Sequence, residues 1–165
     1  MVDLRKITIL SSNMEECIAL DVAPEQKEFV YSNAVMLALA FQFNSRGTAM
    51  ECRAIYAEDR MIGLIAYNYY VGDVVFKEIC YRIRPVMIDK SYWGKGYEEA
   101  TLQKILEEIR TKPHGEASVV FVSCDPEEKA MVELYESIGF NKTGMDWKDA
   151  DENPDNNDII MRMCL

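Results

Sequence analysis

The chain has 165 residues, 49% of them apolar, and this length and composition predict one globular domain, residues 1–165, with a sizeable core. Lys and Arg number 18 against 28 Asp and Glu, so the formal net charge is −10 at pH 7. Such a field repels nucleic acid and anionic membrane surfaces, so neither is expected as a partner.

The cysteines indicate a reduced compartment. They are odd in number, widely spaced and never arranged as Cys-x-x-Cys: Cys17, Cys52, Cys80, Cys124 and Cys164. With a single histidine in the chain, this spacing predicts buried thiols and argues against a disulfide framework or a metal site. The N-terminal segment MVDLRKITIL is too short and too charged for a signal peptide, and no apolar run is long enough to cross a membrane. The chain is therefore predicted to be cytoplasmic.

Two helices are predicted after a first strand. Residues 4–10 alternate loosely and predict the strand, and residues 11–13 supply caps for a short helix. Pro24 ends that helix, because proline is excluded from a helix interior. A second helix is predicted from Glu25 to about Phe43. Its apolar face consists of Val30, Ala34, Leu37 and Phe41.

A hairpin and a disturbed third strand follow. Residues 50–58 and 61–70 are apolar and aromatic runs separated by a charged turn, which predicts a hairpin. Residues 74–88 are predicted to continue the meander as a long third strand. Pro85 has no amide hydrogen to donate to a neighbouring strand, so a bulge or a splayed strand is expected there.

The most informative stretch follows Pro85. The apolar run 86–88 leads into a loop containing Gly94 and Gly96 and then into an amphipathic helix. The apolar residues of this helix recur at helical spacing: Leu102, Ile105, Leu106 and Ile109. Glycine lets the backbone approach a ligand closely, and the first amides of a helix lack internal partners, so the loop predicts a pyrophosphate site. A simple tight turn is the other interpretation, because the loop lacks both the Gly-Lys-Ser/Thr ending and a third glycine.

The second half predicts a buried strand and another helix. His114 lies in a turn and is predicted to be solvated, without a catalytic role. Residues 117–124 form a β-branched run without alternation, which predicts a strand buried on both faces. A helix is predicted to start at residues 125–128, with the carboxylate of Asp125 as its cap, and to end at Gly139. Its apolar face carries Met131, Leu134, Tyr135 and Ile138.

Residues 140–148 and 158–165 predict a last pair of strands, separated by the acidic tract DADENPDNND. The resulting order is β-α-α-β-β-β-α-β-α-β-β. This order predicts a mixed α/β (α+β) sheet with helices on its faces and a splayed central strand.

Three segments of the chain resemble the GNAT superfamily of acyl-coenzyme A N-acetyltransferases. They are Val86-Met87-Ile88-Asp89, the loop WGKGYE at residues 93–98, and LYESIGF at residues 134–140. The resemblance covers nearly the whole chain. The stretches YWGKGY, SCDPEEK, LYESIGF and PEQKEFVYSNA are more narrowly similar to the bacterial diamine and polyamine acetyltransferase branch.

The resemblance implies a fold, a cosubstrate and roles for individual residues. It implies the GNAT fold, acetyl-CoA as cosubstrate, and contact between the backbone of Val86, Met87 and Ile88 and the pantetheine arm and thioester. It assigns the pyrophosphate to the loop amides of Gly94, Lys95, Gly96, Tyr97 and Glu98, and it adds Trp93 and Glu128 to the cofactor-binding positions. Tyr135 matches the tyrosine that protonates the departing thiolate, and a phenol with a pKa of about 10 suits that role. Packing on the apolar helix face is the alternative role for Tyr135.

This chain departs from the family pattern at the cofactor site. Trp93 replaces Gln or Arg at the start of the loop, and Glu98 replaces Gly or Ala at its end. Glu128 stands where the branch tends to have an Asn facing the cofactor, and Met131 replaces a small residue. A carboxylate at Glu98 repels a pyrophosphate, so weakened coenzyme binding is expected.

No general base is assigned from the sequence. Arg82 or Arg84 stands where family members often place a carboxylate, and Glu78 is the nearest upstream acid but is expected to be a solvated strand-end residue. A chain of water molecules can remove the amine proton instead.

The predicted function is acetyl transfer from acetyl-CoA to a small-molecule primary amine, specifically a polycation such as spermidine, spermine or a diamine. An acidic chain attracts a cation, and the closing tract adds Asp146, Asp149, Asp151, Glu152, Asp155 and Asp158. A protein N-terminus, an amino acid or an aminoglycoside is the alternative acceptor. From a different class, the chain could be a degenerate, non-catalytic binding module. The resemblance also leaves a homodimer open.

Overall fold

A mixed sheet organises the part of the chain described by the computed structural model, namely residues 1–8, 13–27, 29–72, 76–146 and 157–165. The strands are β1 (Val2–Lys6), β2 (Met50–Ala57), β3 (Arg60–Val71), β4 (Ile79–Ile83), β5 (Met87–Ile88), β6 (Val119–Cys124), β7 (Asn141–Asp146) and β8 (Ile159–Cys164). The helices are α1 (Asn13–Ala19), α2 (Asn33–Ser45), α3 (Tyr97–Arg110) and α4 (Lys129–Ile138). The predicted order of elements is confirmed, apart from the division of the third strand into β4 and β5.

The spatial order of the strands is β1-β2-β3-β4-β6-β8-β7, with β5 paired to β3. Neighbouring strands are antiparallel except for β4 and β6, which run parallel. One face of the sheet packs against α3 and α4, as shown by the core contacts of Leu102 and Tyr135. The other face packs against α1 and α2 through Cys17 and Met36. The predicted α/β architecture is therefore confirmed.

Three features predicted from local sequence patterns agree with the structure. The apolar stripe predicted for α3 is buried, and every residue of β6 is buried. Val120 and Val122 join the core beneath α3 and α4, whereas Val119 and Phe121 pack on the other face with Tyr70, Phe76 and Ile160. Gly139 ends α4 with a φ of 115°, and its amide donates to the carbonyl of Tyr135 at 3.2 Å. Left-handed backbone of this kind favours glycine, so the predicted C-cap is confirmed.

The predicted second helix is wrong in its start and its face. Pro24–Gln26 form a short 3-10 turn, and α2 begins at Asn33 after Ser32, whose Oγ accepts from the amide of Val35 at 3.4 Å. Met36 is buried, whereas Phe41, predicted to lie on the core face, is 78% exposed. The helix is apolar on all sides, so periodicity could not select the face that packs.

The predicted start of α4 is also wrong. Asp125 Oδ1 accepts a hydrogen bond from the amide of Glu127 at 2.8 Å, which closes a local turn instead of capping the helix. The helix begins at Lys129, and its N-cap residue Glu128 makes no capping hydrogen bond with its side chain. The carboxyl group of Glu128 is therefore not used to cap the first backbone amides of α4.

Pro85 separates β4 from β5, so the expected splay is confirmed. The region predicted as one long strand over residues 74–88 is therefore divided into two strands. β5 pairs with β3, with Ile88 opposite Gly63, while β6 pairs with β4. A Cβ at Gly63 would collide with the carbonyl oxygen of Met87, so glycine allows this close approach. The sheet consequently opens between β5 and β6.

The ends of the chain agree with the predicted strands in outline. β1 covers residues 2–6, so it starts before the predicted residue 4 and does not include residues 7 and 8, while residues 9 and 10 lie outside the described part of the chain. β7 and β8 form the predicted last pair. The predicted caps Ser11 and Ser12 lie outside the described residues. The same holds for Asp149, Asp151, Glu152 and Asp155 of the acidic tract.

Candidate active site

A cleft of about 930 Å³ lies where β5 and β6 separate. Its walls come from β4, β5, the glycine loop, the end of β6, α4, and residues 25–27 and 29–31. The split in the sheet therefore brings together segments that are distant in sequence. This volume is in the range of small-molecule and cofactor sites.

Two glycines shape the loop at one end of the cleft. Gly94 and Gly96 have φ values of 73° and 76°, and a Cβ added at either would meet no atom within 4 Å. The left-handed backbone, and not a shortage of space, therefore favours glycine at both positions. Gly96 caps α3 without a side chain, so the first helix amides stay available to a ligand at the positive end of the helix dipole.

The carboxylate of Asp89 holds the entry to this loop. Asp89 Oδ1 accepts from the amide of Ser91 at 2.9 Å, and Oδ2 accepts from the amide of Asp21 at 3.0 Å. The amide of Lys90 returns a hydrogen bond to the carbonyl of Asp21 at 2.9 Å. Burial alone would raise the pKa of Asp89, but these amide donors hold it below its usual value.

Tyr135 lies in the wall of the cleft on α4. Its side chain is 1% exposed, and its ring meets that of Phe140 edge-on with centroids 5.6 Å apart. Burial, together with the nearby Cys124 and Glu128, raises the pKa of the phenol well above its usual value. The hydroxyl group therefore keeps its proton throughout the neutral range and can act only as a donor of that proton.

Three acids lie in the wall of the cleft, and two of them, Glu128 and Asp158, are near Tyr135. Burial, followed by the charges of Asp125 and Asp158, raises the pKa of Glu128 to about 7. Burial and Asp125 also raise the pKa of Asp158. All three acids line the cleft. This wall therefore gains negative charge as the pH rises through neutrality.

Two arginines form part of the cleft surface, Arg82 within β4 and Arg84 just after its end. Arg82 and Arg84 occupy alternate positions of the strand end and are 9% and 8% exposed. Arg82 Nη2 donates to Ser123 Oγ at 3.2 Å, and Arg84 Nε donates to Asn68 Oδ1 at 2.8 Å. The sequence analysis gives neither arginine a role in the site. The signal that could have identified them is a pair of alternating charges in an otherwise apolar strand.

Most of the predicted site residues meet at the cleft. Those that line it are Val86, Ile88, Trp93, Gly94, Gly96, Glu98, Glu128 and Tyr135. Three others do not: Met87 packs in the core beneath α1 and α2, Lys95 Nζ donates to the carbonyl of Ser91, and Tyr97 packs against the core beneath α3. The residues that sequence reasoning missed include residues 25–27 and 29–31, Ser123, Cys124 and Asp125.

His114 and Glu78 lie outside the cleft walls that the structure describes. The prediction that His114 is solvated is wrong: its side chain is 24% exposed and its Nε2 lies 3.7 Å from Glu51 Oε1. The turn folds back onto the aromatic side of the sheet, because the amide of His114 donates to the hydroxyl of Tyr81 at 3.1 Å. Glu78 is half-exposed and lies 3.8 Å from Arg162.

The segments that build this cleft lie largely within a match to a known protein family. The model of the acetyltransferase (GNAT) family matches residues 16–140, which include the glycine loop, β6 and the whole of α4. The chain belongs to the GNAT acetyltransferase family. It is thus an acyl-CoA-dependent N-acetyltransferase, and the family uses acetyl-CoA. The glycine loop and the free amides of α3 fit such a donor, whereas the carboxylate of Glu98 in the cleft does not favour it.

Solved structures share the GNAT fold at low sequence identity. A RimL ribosomal L7/L12 alpha-N-protein acetyltransferase in complex with coenzyme A is 14% identical, with a TM-score of 0.69 over 99% of this chain and 94% of that one. A spermidine N-acetyltransferase SpeG chimera from Vibrio cholerae and hSSAT is 17% identical, with a TM-score of 0.68 over 99% and 94%. A ribosomal-protein-alanine N-acetyltransferase from Brucella melitensis is 16% identical, with a TM-score of 0.68 over 99% of both chains.

These relatives of the GNAT fold include enzymes named for proteins and enzymes named for spermidine. No curated protein matches the chain significantly. None of the helices in the described part of the chain is long and apolar enough to cross a membrane.

Proposed function

We propose that this GNAT enzyme acetylates a primary amine in the cleft between β5 and β6, by direct attack within a ternary complex. Acetyl-CoA supplies the thioester: the amine nitrogen forms a bond to the acetyl carbon, and the bond from that carbon to sulfur breaks. The burial of the Tyr135 phenol in the wall of this cleft is the observation that carries the proposal.

Tyr135 is the proton donor in this proposal. Its raised pKa keeps the hydroxyl group protonated while negative charge develops on the departing sulfur. The edge-on contact with Phe140 and the position on α4 restrict the ring, so the hydroxyl is held in one direction. A pre-oriented donor avoids part of the entropy cost of reaching the transition state.

Backbone groups of β5 and the glycine loop form the donor side. The amide of Asp89 donates to the carbonyl of Ile62 on β3 at 2.8 Å. Because successive amides along a strand point to opposite edges, the amide of Ile88 points away from β3, toward the opening beside β6. In this proposal, the amide of Ile88 binds the thioester carbonyl or the pantetheine arm, and the first amides of α3 bind the pyrophosphate.

In this proposal, water removes the proton from the attacking amine. The nearest upstream acid, Glu78, and the single histidine, His114, lie outside the described cleft walls. A cleft open to solvent can pass the proton along water molecules, which suffices when the acceptor arrives partly neutral.

Two classes of acceptor remain for this site. A small polycation such as spermidine is supported by the net charge of −10 and by acids on the cleft surface, including Glu25, Asp125 and Asp158. The contribution of the tract at residues 147–156 rests on sequence alone. A protein N-terminus is the other class, and it is supported by the shared fold of enzymes named for ribosomal proteins.

A titration and a transfer assay test the proposed function. Calorimetric titration with acetyl-CoA is expected to show binding in the micromolar range, and labelled acetyl-CoA is expected to transfer its acetyl group to at least one primary amine. A chain that binds no acetyl-CoA at millimolar concentration would instead be a non-catalytic binding module with the GNAT fold.

A further inference from the structure

The N-termini of α3 and α4 lie at the same edge of the sheet. β4 and β5 both run antiparallel to β3, and β4 runs parallel to β6, so β5 and β6 point the same way. In the chain, α3 follows β5 and α4 follows β6, so each helix starts near the forward end of its strand. The N-cap residues Gly96 and Glu128 both line the cleft there.

One face of α4 leads from this edge into the cleft. Glu128 and Tyr135 are separated by two helical turns, which is about 10 Å along the axis. Both residues line the cleft, together with Met131 and Leu134 of the same helix. A molecule that holds its diphosphate on the first amides of α3 and its sulfur at Tyr135 therefore passes the first turn of α4. In acetyl-CoA, the part between those two groups is the pantetheine arm.

The side chain of Glu128 makes no hydrogen bond or ion pair with the described part of the chain. Charged side chains line the cleft on the elements around it: Asp125 before α4, Asp158 before β8, Arg82 on β4, Glu98 and Glu99 on α3, and Glu25 and Lys27 before α2. The acids of this set outnumber the cations, so the cleft disfavours a further negative charge.

These surroundings favour the neutral acid form of Glu128. Burial, and then the charges of Asp125 and Asp158, raise its pKa to about 7. Its other titratable neighbours stay neutral, because burial raises the pKa of the Cys124 thiol to about 12 and that of the Tyr135 phenol well above its usual value. A bound coenzyme adds the negative charge of its phosphates, which favours the neutral form of Glu128 further.

We infer that Glu128 binds the coenzyme as a neutral acid whose O–H donates to an amide carbonyl oxygen of the pantetheine arm, so that binding takes up one proton. A carboxylate has no such donor. The inference rests on the proposed function and deepens it by making the affinity for the acyl donor depend on pH. Binding and protonation favour each other by the same factor, so the coenzyme is held most tightly at acidic pH and less tightly above neutrality.

The test is a calorimetric titration with dephospho-coenzyme A at about pH 6 and about pH 8. This analogue lacks the terminal phosphate monoester, whose second pKa of about 6 would add a pH dependence of its own. Two buffers with different enthalpies of ionisation report the protons taken up. The dissociation constant is expected to rise about tenfold from the lower to the higher pH, while proton uptake increases from near zero toward one. A dissociation constant that stays the same, without proton uptake, would overturn the inference.

Variants identify the group that takes up the proton. Glu128→Gln keeps a donor without a charge, so at both pH values it should bind about as tightly as the unmodified chain does at the lower pH, with no proton uptake. Glu128→Met has no donor, so it should also be insensitive to pH but bind about threefold to tenfold more weakly than Glu128→Gln. Glu127→Gln removes a charge from an exposed neighbour and should keep the full pH dependence.

Two results would contradict the role of Glu128. Proton uptake that persists in Glu128→Gln would place the proton on another group, such as Asp158, and equal binding by Glu128→Gln and Glu128→Met would refute the hydrogen bond. Thermal unfolding of each variant reports folding. If Glu128→Met does not fold, the comparison of the unmodified chain with Glu128→Gln still decides whether Glu128 takes up the proton.

Binding and turnover are measured separately, so the inference and the proposed function can fail independently. If the coenzyme binds but no amine receives the labelled acetyl group, the proposed function fails and the pH dependence of binding still decides the inference. If an amine is acetylated but the dissociation constant does not change with pH, the inference alone fails. Absence of binding to both the unmodified chain and Glu128→Gln at both pH values would refute both.

Discussion

Asp89 Oδ2 accepts a hydrogen bond from the amide of Asp21 at 3.0 Å, and this bond joins the segment after α1 to the entry of the glycine loop. The same carboxylate accepts a hydrogen bond from the amide of Ser91, so one buried side chain joins two segments that are distant in sequence. Hydrogen bonds to a charged group are stronger than neutral ones, and loss of the carboxylate leaves two partly buried amides without this acceptor.

Removing the Asp89 carboxylate is therefore expected to loosen the loop. Asp89→Ala should lower the free energy of unfolding by about 2–3 kcal/mol and weaken acetyl-CoA binding, and Asp89→Asn should give an intermediate loss because one acceptor oxygen remains. Chemical denaturation and calorimetry measure the two effects. Asp3→Ala, which removes an exposed partner of Arg5, is the control and should cost less than about 1 kcal/mol. Equal losses for the two alanine variants would contradict the role of Asp89.

The Tyr135→Phe variant tests whether the hydroxyl group of Tyr135 donates a proton in the reaction or whether the ring only packs against the core. We expect kcat to fall by about a hundredfold or more, because a general acid contributes about that much, while the dissociation constant of acetyl-CoA stays nearly unchanged. The raised pKa of Tyr135 also predicts no basic limb from this group in the pH profile up to about pH 10. Tyr69→Phe is the control, since its hydroxyl donates to the carbonyl of Glu116 outside the described cleft walls. Full activity of Tyr135→Phe would eliminate the proton-donor role.

Glu98 is expected to weaken coenzyme binding through its charge. It lines the cleft in the first turn of α3, where the free amides would otherwise favour an anion. Glu98→Gln should lower the dissociation constant of acetyl-CoA by about threefold to tenfold, and the gain should shrink as salt is added. Glu107→Gln, near the far end of the same helix, is the control for net charge. A dissociation constant that does not improve would show that the side chain turns away from the phosphates.

Glu128 should make the stability of the protein depend on pH. Its pKa is raised to about 7 from 4.5, by burial and then by Asp125 and Asp158. The folded state thus binds this proton more tightly, so the added stability is complete below pH 4.5 and is lost as the pH rises to about 7. Between pH 5 and pH 8, Glu128→Gln should gain on the order of 2 kcal/mol over the unmodified chain. Urea denaturation at several pH values measures this gain.

The exposed neighbour Glu127 supplies the control for that experiment. Glu127→Gln also removes one negative charge, but its side chain lies in solvent, so its difference from the unmodified chain should not grow with pH. A gain for Glu128→Gln that is the same at all pH values would contradict burial as the cause.

Local signals account for the elements that were predicted correctly. The stripe of α3, the buried run of β6, the break at Pro85 and the cap at Gly139 each depend on a few neighbouring residues, so they can be identified without knowing the fold. The face of α2 could not be predicted, because an all-apolar helix packs on whichever side the sheet presents. The start of α4 was misplaced because Asp125 forms a turn as readily as a helix cap.

By itself, the sequence determined the order of the elements, the glycine loop and the motifs that mark a GNAT acetyltransferase, because these are properties of neighbouring residues. Only the tertiary structure decided that Arg82, Arg84 and the acids around Glu128 share one cleft and that Asp89 reaches Asp21. The physical reason is that burial and charge at a site arise from segments that meet only after β5 has separated from β6. No local pattern records which distant side chains will lie there.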